Sequence, residues 1–323
     1  MCRQTTNTSR IWRIKFILFI IVLFFMQNIS AFSLFKDENE LIIEKVSDNV
    51  FALVGKRGPM TEKDLGTNAT FGFVIHDSGV IVIDPGASYL GAERIHKKIA
   101  EVTEKPITHV INTGSEDHRW LGNGYFQKLG TDIIAAQPAV KHQKERTNDL
   151  LTRLGFLLKE QSTKDTTAVY ASQTFEKTLN LEIGGQKLEL SHVGPAYTPG
   201  DTLVWLPNQK ILFSGDVISV ERLPAIGSMS NTTQWLAVFN KIETLKPTKI
   251  IPGHGSATTY SQAVSETKIY LEDLRLGVRT LIENGGGLES VSKINQSKYK
   301  NITGFDMLSG RNAHQVFQEL EWE

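Results

Sequence analysis

The order of its apolar segments constrains the fold of this chain more than any other feature. Short β-rich runs between about residues 49 and 83 are followed by alternating helical and strand patterns, and short strands return near residue 173. The first run contains a hairpin, because Asp77, Ser78 and Gly79 separate two apolar stretches. A helix, a strand and a long amphipathic helix follow the second run. This alternation predicts an α/β fold with two β-sheets packed face to face and helices outside, in four layers.

Polar residues follow the buried strands in several places, where packing does not require them. Ligands gather beyond the carboxyl ends of strands in α/β architectures, so we expect these loops to converge on one site. The residues concerned are Asp84 in "IDPG", Glu116, Asp117, His118 and Arg119 in "NTGSEDHR", Tyr197 and Asp201 in "GPAYTPGD", Asp216 in "FSGD", and His254 in "IPGHG".

The N-terminal segment has the organisation of a signal peptide. Basic residues precede an unbroken apolar run from Phe16 to Met26, and small residues such as Ala31 follow. This run is shorter than the roughly 20 apolar residues of a membrane-spanning helix. We therefore expect a cleaved signal over residues 1–33, a single domain over residues 40–323, and secretion across the inner membrane to the periplasm. Contact with the membrane is expected only through the signal segment, if it stays uncleaved.

The composition argues against thiol chemistry and against binding to polyanions. The single cysteine, Cys2, lies inside the signal segment, so the mature protein is expected to have no thiolate ligand or nucleophile. Basic and acidic residues are equal at 35 each. No net charge attracts the chain to nucleic acid or anionic lipid, and a small-molecule substrate is the expected partner.

From about Asn49 to the C-terminus, the chain resembles the metallo-β-lactamase superfamily. The resemblance lies in "GVIVIDPG", "GPAYTPGD", "LFSGD" and "IIPGHG", the last after a helix that contains Trp235. It implies an αββα sandwich, a centre of one or two zinc ions, and hydrolysis by a metal-bound hydroxide. The motif "NTGSEDHRWLGN" and the signal segment most resemble the exported metallohydrolases of quinoprotein relay systems, found beside sulfur-oxidation systems. That likeness implies a periplasmic quinoprotein dehydrogenase as a partner.

The resemblance also shows where the family's His-x-His-x-Asp-His motif is altered. Aligned without gaps, its four ligand positions hold Gly114, Glu116, His118 and Arg119, and Tyr197 replaces the next histidine. Shifting the loop by one residue instead aligns Asp117 and His118 with the Asp-His pair. Asp216 and His254 keep their family positions in both alignments.

Both alignments predict a centre for one divalent metal. The gap-free alignment gives the ligands Glu116, His118, Asp216 and His254, which suit zinc but also iron or manganese. The shifted alignment gives Asp117, His118 and His254 with Asp216 nearby, enough for one zinc ion with an open position. His118, Asp216 and His254 are common to both sets.

Two functions are consistent with these residues. In the first, the chain is an exported metallohydrolase that cleaves an ester, thioester, lactone or amide. Asp117 or Glu116 would orient the attacking water, and Arg119 or Tyr197 would stabilise the developing oxyanion. Loss of the three-histidine position argues against β-lactamase activity. In the second, the chain is a non-catalytic periplasmic binding or accessory protein on a decayed scaffold.

Overall fold

The computed structural model describes residues 39–322 and contains two β-sheets. The predicted signal segment, residues 1–33, lies outside the described residues. Within residues 39–322, no helix has the length and apolar character needed to cross a bilayer. The strands are β1 (Ile42–Lys45), β2 (Val50–Val54), β3 (Thr70–His76), β4 (Gly79–Ile83), β5 (Ile107–Asn112), β6 (Asp132–Ala136), β7 (Gln173–Phe175), β8 (Thr178–Ile183), β9 (Gln186–His192), β10 (Thr202–Leu206), β11 (Ile211–Phe213) and β12 (Lys249–Ile251).

The α-helices alternate with the strands in the order that the sequence predicts. They are α1 (Tyr89–Ala100), α2 (Asp117–Trp120), α3 (Asn123–Lys128), α4 (Gln137–Thr163), α5 (Thr232–Leu245), α6 (Tyr260–Ala263), α7 (Ile269–Glu283) and α8 (Phe305–Leu320).

The first sheet has the order β1-β2-β3-β4-β5-β6-β7, and the second has the order β12-β11-β10-β9-β8. Strands β3 and β4 form the predicted hairpin, with His76 paired to Gly79. From β4 to β7 the strands run parallel, as do β11 and β12. Carboxyl ends of parallel neighbours lie at the same edge of a sheet, so each sheet directs its polar loops to one end.

The core confirms the four-layer prediction. One cluster of buried apolar side chains joins both sheets, with Val74 and Ile111 from the first and Val204 and Ile251 from the second. Two other clusters lie on the outer faces. Helix α1 packs on the first sheet, and helices α5, α7 and α8 pack on the second. The physical reason is that each sheet has apolar side chains on both faces and must cover both.

Backbone hydrogen bonds join the two sheets near the ends of their strands. Thr70 N–H donates to the carbonyl of Gly253 at 2.8 Å, and Thr202 N–H donates to the carbonyl of Thr113 at 2.8 Å. Gly253 has no room for a side chain, because an added Cβ would lie 2.6 Å from the carbonyl oxygen of Gly215. Close backbone approach therefore brings the loops after β5, β11 and β12 into one region.

Candidate metal centre

Three side chains from distant parts of the chain form a compact group at this edge. His118 lies in α2, directly after the loop that follows β5, Asp216 lies in the turn after β11, and His254 follows β12. One nitrogen or oxygen atom of each lies within 4.8 Å of the others. All three line a cavity of about 420 Å³. The structure thus brings together the three residues common to both alignments.

The spacing of these atoms fits a single metal ion. His118 Nε2 lies 3.2 Å from Asp216 Oδ2, and His254 Nε2 lies 3.4 Å from Asp216 Oδ1. Two atoms that bind one tetrahedral zinc ion at about 2.0–2.1 Å are about 3.3–3.4 Å apart. Two imidazoles and one carboxylate are also a usual zinc donor set with an open fourth position. The described residues therefore fit a divalent ion.

Asp117 supports His118 and does not join the group. Its Oδ1 lies 2.9 Å from His118 Nδ1, on the other side of the ring from Nε2. Its Oδ2 lies 3.1 Å from Arg153 Nη1. The shifted alignment placed Asp117 on the metal, and this geometry does not: an ion bound to Nε2 is out of reach of a carboxylate that faces Nδ1. Such a carboxylate instead fixes the orientation of the imidazole.

Arg119 is fully buried, with 0% of its surface exposed. Its Nε and Nη2 donate to the two oxygens of Asp216 at 3.0 and 2.6 Å. Nη1 donates to Asp84 Oδ2 at 2.8 Å and to the carbonyl of Thr70, and Nη2 also donates to the carbonyl of Gly253. A guanidinium has five N–H donors, and all five are used. The expectation that Arg119 contacts an oxyanion is therefore corrected, because no donor remains for a substrate.

Asp84 anchors Arg119 and the start of the motif loop. Thr113 donates to it twice, from N–H and from the hydroxyl, each at 2.7 Å. Asp84 also adopts a positive φ of 65°, which turns the chain sharply after β4. These contacts give Asp84 a structural role, because it holds both Arg119 and the motif loop in place.

Glu116 and Tyr197 both line the cavity, outside the group formed by His118, Asp216 and His254. Glu116 lies 2.7 Å from Arg146 and 3.8 Å from Arg153, so its carboxylate is held by two cations. Because its carboxylate is paired with these arginines, Glu116 does not join His118, Asp216 and His254, although the gap-free alignment predicts that it does. Tyr197 packs edge-on against Trp235 with ring centroids 5.6 Å apart. Burial raises the pKa of Tyr197 well above its usual value, so its phenol stays a hydrogen-bond donor.

The charges within the group differ sharply. Burial would lower the pKa of His118. The negative charge of Asp216, together with the hydrogen bonds that His118 forms with Asp117 and Asp216, instead raises that pKa to about 9. Burial opposes ionisation of Asp216, yet Arg119 and His118 hold its pKa well below the usual value. Burial and the charge of Arg222 lower the pKa of His254 to about 3. His254 is therefore neutral, and a metal that binds His118 would have to displace a proton.

Four arginines in the cavity were not identified from the sequence. Arg146 and Arg153 come from α4, Arg222 from the loop after β11, and Arg311 from α8. No local motif marks them. The three on helices follow a spacing typical of a solvated face, and Arg222 is a single charge in a loop. The Nη1 atom of Arg222 lies 2.8 Å from His254 Nδ1.

Comparisons with known proteins agree with the fold. The sequence model of the metallo-beta-lactamase superfamily matches residues 65–254. A linear primary-alkylsulfatase from a Pseudomonas species is 23% identical over 220 residues, which cover 58% of this chain and 42% of that protein. A metallo-beta-lactamase type 2 from Bacteroides fragilis is 23% identical over 253 residues, 75% of this chain and 90% of that protein. This chain therefore spans less than half of the alkylsulfatase.

The structural comparison supports the architecture alone. A metallo-beta-lactamase from Pontibacter korlensis has a TM-score of 0.59 and 20% sequence identity, covering 72% of this chain and 99% of that one. The matched family region ends at His254, so the helices α6, α7 and α8 lie beyond it.

Proposed function

Because the chain belongs to the metallo-β-lactamase superfamily, we propose that it is a metal-dependent hydrolase of a small-molecule carbonyl compound. The substrate would be an ester, thioester, lactone or amide. One observation carries this proposal: His118, Asp216 and His254 are gathered within 4.8 Å on the wall of a cavity large enough for a small molecule.

These three residues would hold one divalent ion, with zinc the best fit to the donor set and iron or manganese also suited to it. Such an ion would lower the pKa of a bound water to about 7 and so supply the nucleophile. Asp117 keeps the His118 ring in place, and Arg119 keeps Asp216 ionised and oriented. Tyr197 is the cavity phenol that can donate a hydrogen bond to a developing oxyanion.

The names of the two relatives indicate different substrates. One is named an alkylsulfatase and another a β-lactamase. A sulfate ester therefore belongs among the substrates to be tested. We expect no β-lactamase activity, because Gly114, Glu116 and Tyr197 supply no imidazole for a second metal position.

A non-catalytic binding protein is the second candidate, and Arg119 is the observation that favours it. Its guanidinium already neutralises both oxygens of Asp216, the carboxylate that a metal would share. A cation so close weakens the attraction of the site for a second cation. A protein of this kind would keep the cavity and bind a small molecule without metal.

Metal content and hydrolysis, measured on the same samples, separate the two candidates. The purified protein is incubated with Zn²⁺, Fe²⁺ or Mn²⁺, desalted and analysed by elemental mass spectrometry. It is then assayed with p-nitrophenyl acetate, a thioester, a lactone and an alkyl sulfate. For the hydrolase we expect about one metal per chain, lost together with activity in His118→Ala and His254→Ala.

His314→Ala is the matched control, because this histidine lies in α8 outside the cavity lining. It should retain both metal and activity. No bound metal in the unsubstituted protein would refute the hydrolase and favour the binding protein. Bound metal without turnover of any of these substrates would count against both candidates as stated.

Export and the quinoprotein partner also remain proposals. Export is supported by residues 1–33 of the sequence, and the partner by the motif resemblance. N-terminal sequencing of the mature protein from a periplasmic extract tests export. Co-purification of the tagged protein with a quinoprotein dehydrogenase tests the partner.

A further inference from the structure

The cavity beside the candidate metal centre contains more cations than its own carboxylates neutralise. Arg146 and Arg153 lie within ion-pair distance of Glu116 and Asp117. Arg222 and Arg311 line the same cavity and form no ion pair with a carboxylate among residues 39–322. A divalent ion on the three ligands would add further positive charge to the same space. Such a cavity favours an anion.

Arg222 is the closer of the two unpaired arginines to the centre. Its guanidinium contacts the ring of His254, with Nη1 2.8 Å from Nδ1 and 3.2 Å from Nε2. A neutral imidazole carries one ring proton. If Nε2 of His254 binds a metal, that proton is on Nδ1, and Arg222 loses its acceptor there. The guanidinium then needs another acceptor inside the cavity.

Arg311 is positioned by the C-terminal helix α8, beyond the region that matches the family. Its neighbour Asn312 is fully buried and accepts a hydrogen bond from Ile226 N–H at 2.9 Å. The amide of Asn312 donates to the carbonyl of Pro224 at 2.8 Å. These two bonds fasten α8 to the loop that carries Arg222, so the backbone segments that bear the two arginines are held together beside the cavity. The side chain of Arg311 is itself exposed.

The remaining lining is largely apolar. Met229 and Met307 line the cavity and are 42% and 49% exposed, so they lie where it meets solvent. Leu157 and Met60 add further apolar surface. Methionine side chains adapt to aliphatic groups of varied shape. An aliphatic chain that ends in an anionic group would match both kinds of lining.

We propose that Arg222 and Arg311 form an anion-binding subsite beside the metal centre, which selects small molecules with a carboxylate or comparable anionic group on an aliphatic chain. This inference adds a substrate class to the proposed function. Its test measures binding without turnover, so failure of the hydrolase proposal would not decide it.

Isothermal titration calorimetry with octanoate and with its neutral counterpart octanamide provides this test. Each is titrated into the protein after EDTA treatment and after zinc loading. We expect octanoate to bind at least tenfold more tightly than octanamide in both forms. Arg222→Gln and Arg311→Gln should each weaken octanoate binding about tenfold, since a hydrogen bond to a charged group is lost, and leave octanamide binding unchanged.

Arg279→Gln is the charge-matched control, because this exposed arginine in α7 does not line the cavity. It should bind octanoate like the unsubstituted protein. Arg222→Lys, which keeps the charge, should retain part of the affinity and serves if Arg222→Gln does not fold. Equal affinity for the two ligands, or no octanoate binding, would overturn the proposal. So would a preference for octanoate that requires zinc and survives in the Arg222→Gln/Arg311→Gln double variant.

Discussion

Replacing Arg119 with methionine should destabilise the protein strongly, and the size of the loss can be worked out from its contacts. Arg119→Met removes a fully buried cation that donates to Asp216 and Asp84 and to two backbone carbonyls. Breaking a buried ion pair by removing one partner costs about 3–5 kcal/mol, because the other charge stays buried. Asp84 loses its cationic partner here, and Asp216 keeps His118. We therefore expect a loss of at least about 4 kcal/mol at pH 8.

Urea denaturation of the metal-free protein, followed by circular dichroism, measures this loss. A slope of about 3 kcal/mol per molar urea would place the midpoint of Arg119→Met more than about 1 M lower. Arg119→Lys keeps the charge but has three N–H donors instead of five. Its urea midpoint should therefore lie between those of the unsubstituted protein and Arg119→Met. Arg279→Met, at an exposed position, should change the free energy of unfolding by no more than about 0.5 kcal/mol.

The loss should also depend on pH in a defined direction. In Arg119→Met the carboxylate of Asp84 has lost the cation that opposes the effect of burial, so we expect its pKa to rise further above the usual value. Stability from such groups is present at low pH and is lost as the pH rises through the raised pKa. The difference from the unsubstituted protein should therefore grow between pH 5 and pH 8. A loss below about 1 kcal/mol at pH 8, or a difference that shrinks as the pH rises, would refute this reasoning.

Three further predictions concern neighbouring residues. Asp117→Asn should weaken zinc binding about 10- to 100-fold, because the ligand histidine loses its orienting carboxylate; competition with a chromophoric chelator measures this, and an unchanged affinity would contradict it. Gly253→Ala should lower the thermal midpoint by several degrees, since its Cβ would lie 2.7 Å from Arg119 Nη2, whereas Gly155→Ala, with open space around it in a helix, should not. Burial raises the pKa of Asp201 to about 7, so its contribution to stability is lost as the pH rises through that value. Relative to the unsubstituted protein, Asp201→Asn should therefore be more stable at pH 8 than at pH 5. Urea denaturation that shows the same difference in free energy of unfolding between the two proteins at both pH values would contradict this.

The sequence predicted the architecture because its signals are local. Hairpin turns, strand periodicity and helical spacing depend on residues a few positions apart, and they gave the element order and the four layers. His118, Asp216 and His254 were also identifiable, since each follows a buried strand whose carboxyl end must lie at the site. The family relation rests on the same short motifs.

The tertiary structure alone decided how the charges around that centre are arranged. The sequence places Glu116, Asp117 and Arg119 side by side, and spacing cannot tell which of them faces the cavity. In the fold, Arg119 turns inward to Asp84 and Asp216 because two buried carboxylates need a counter-charge there. Arg311 reaches the cavity from a helix almost 200 residues along the chain from that loop. Contacts of such long range follow from the packing of α8 on the second sheet, which no local pattern encodes.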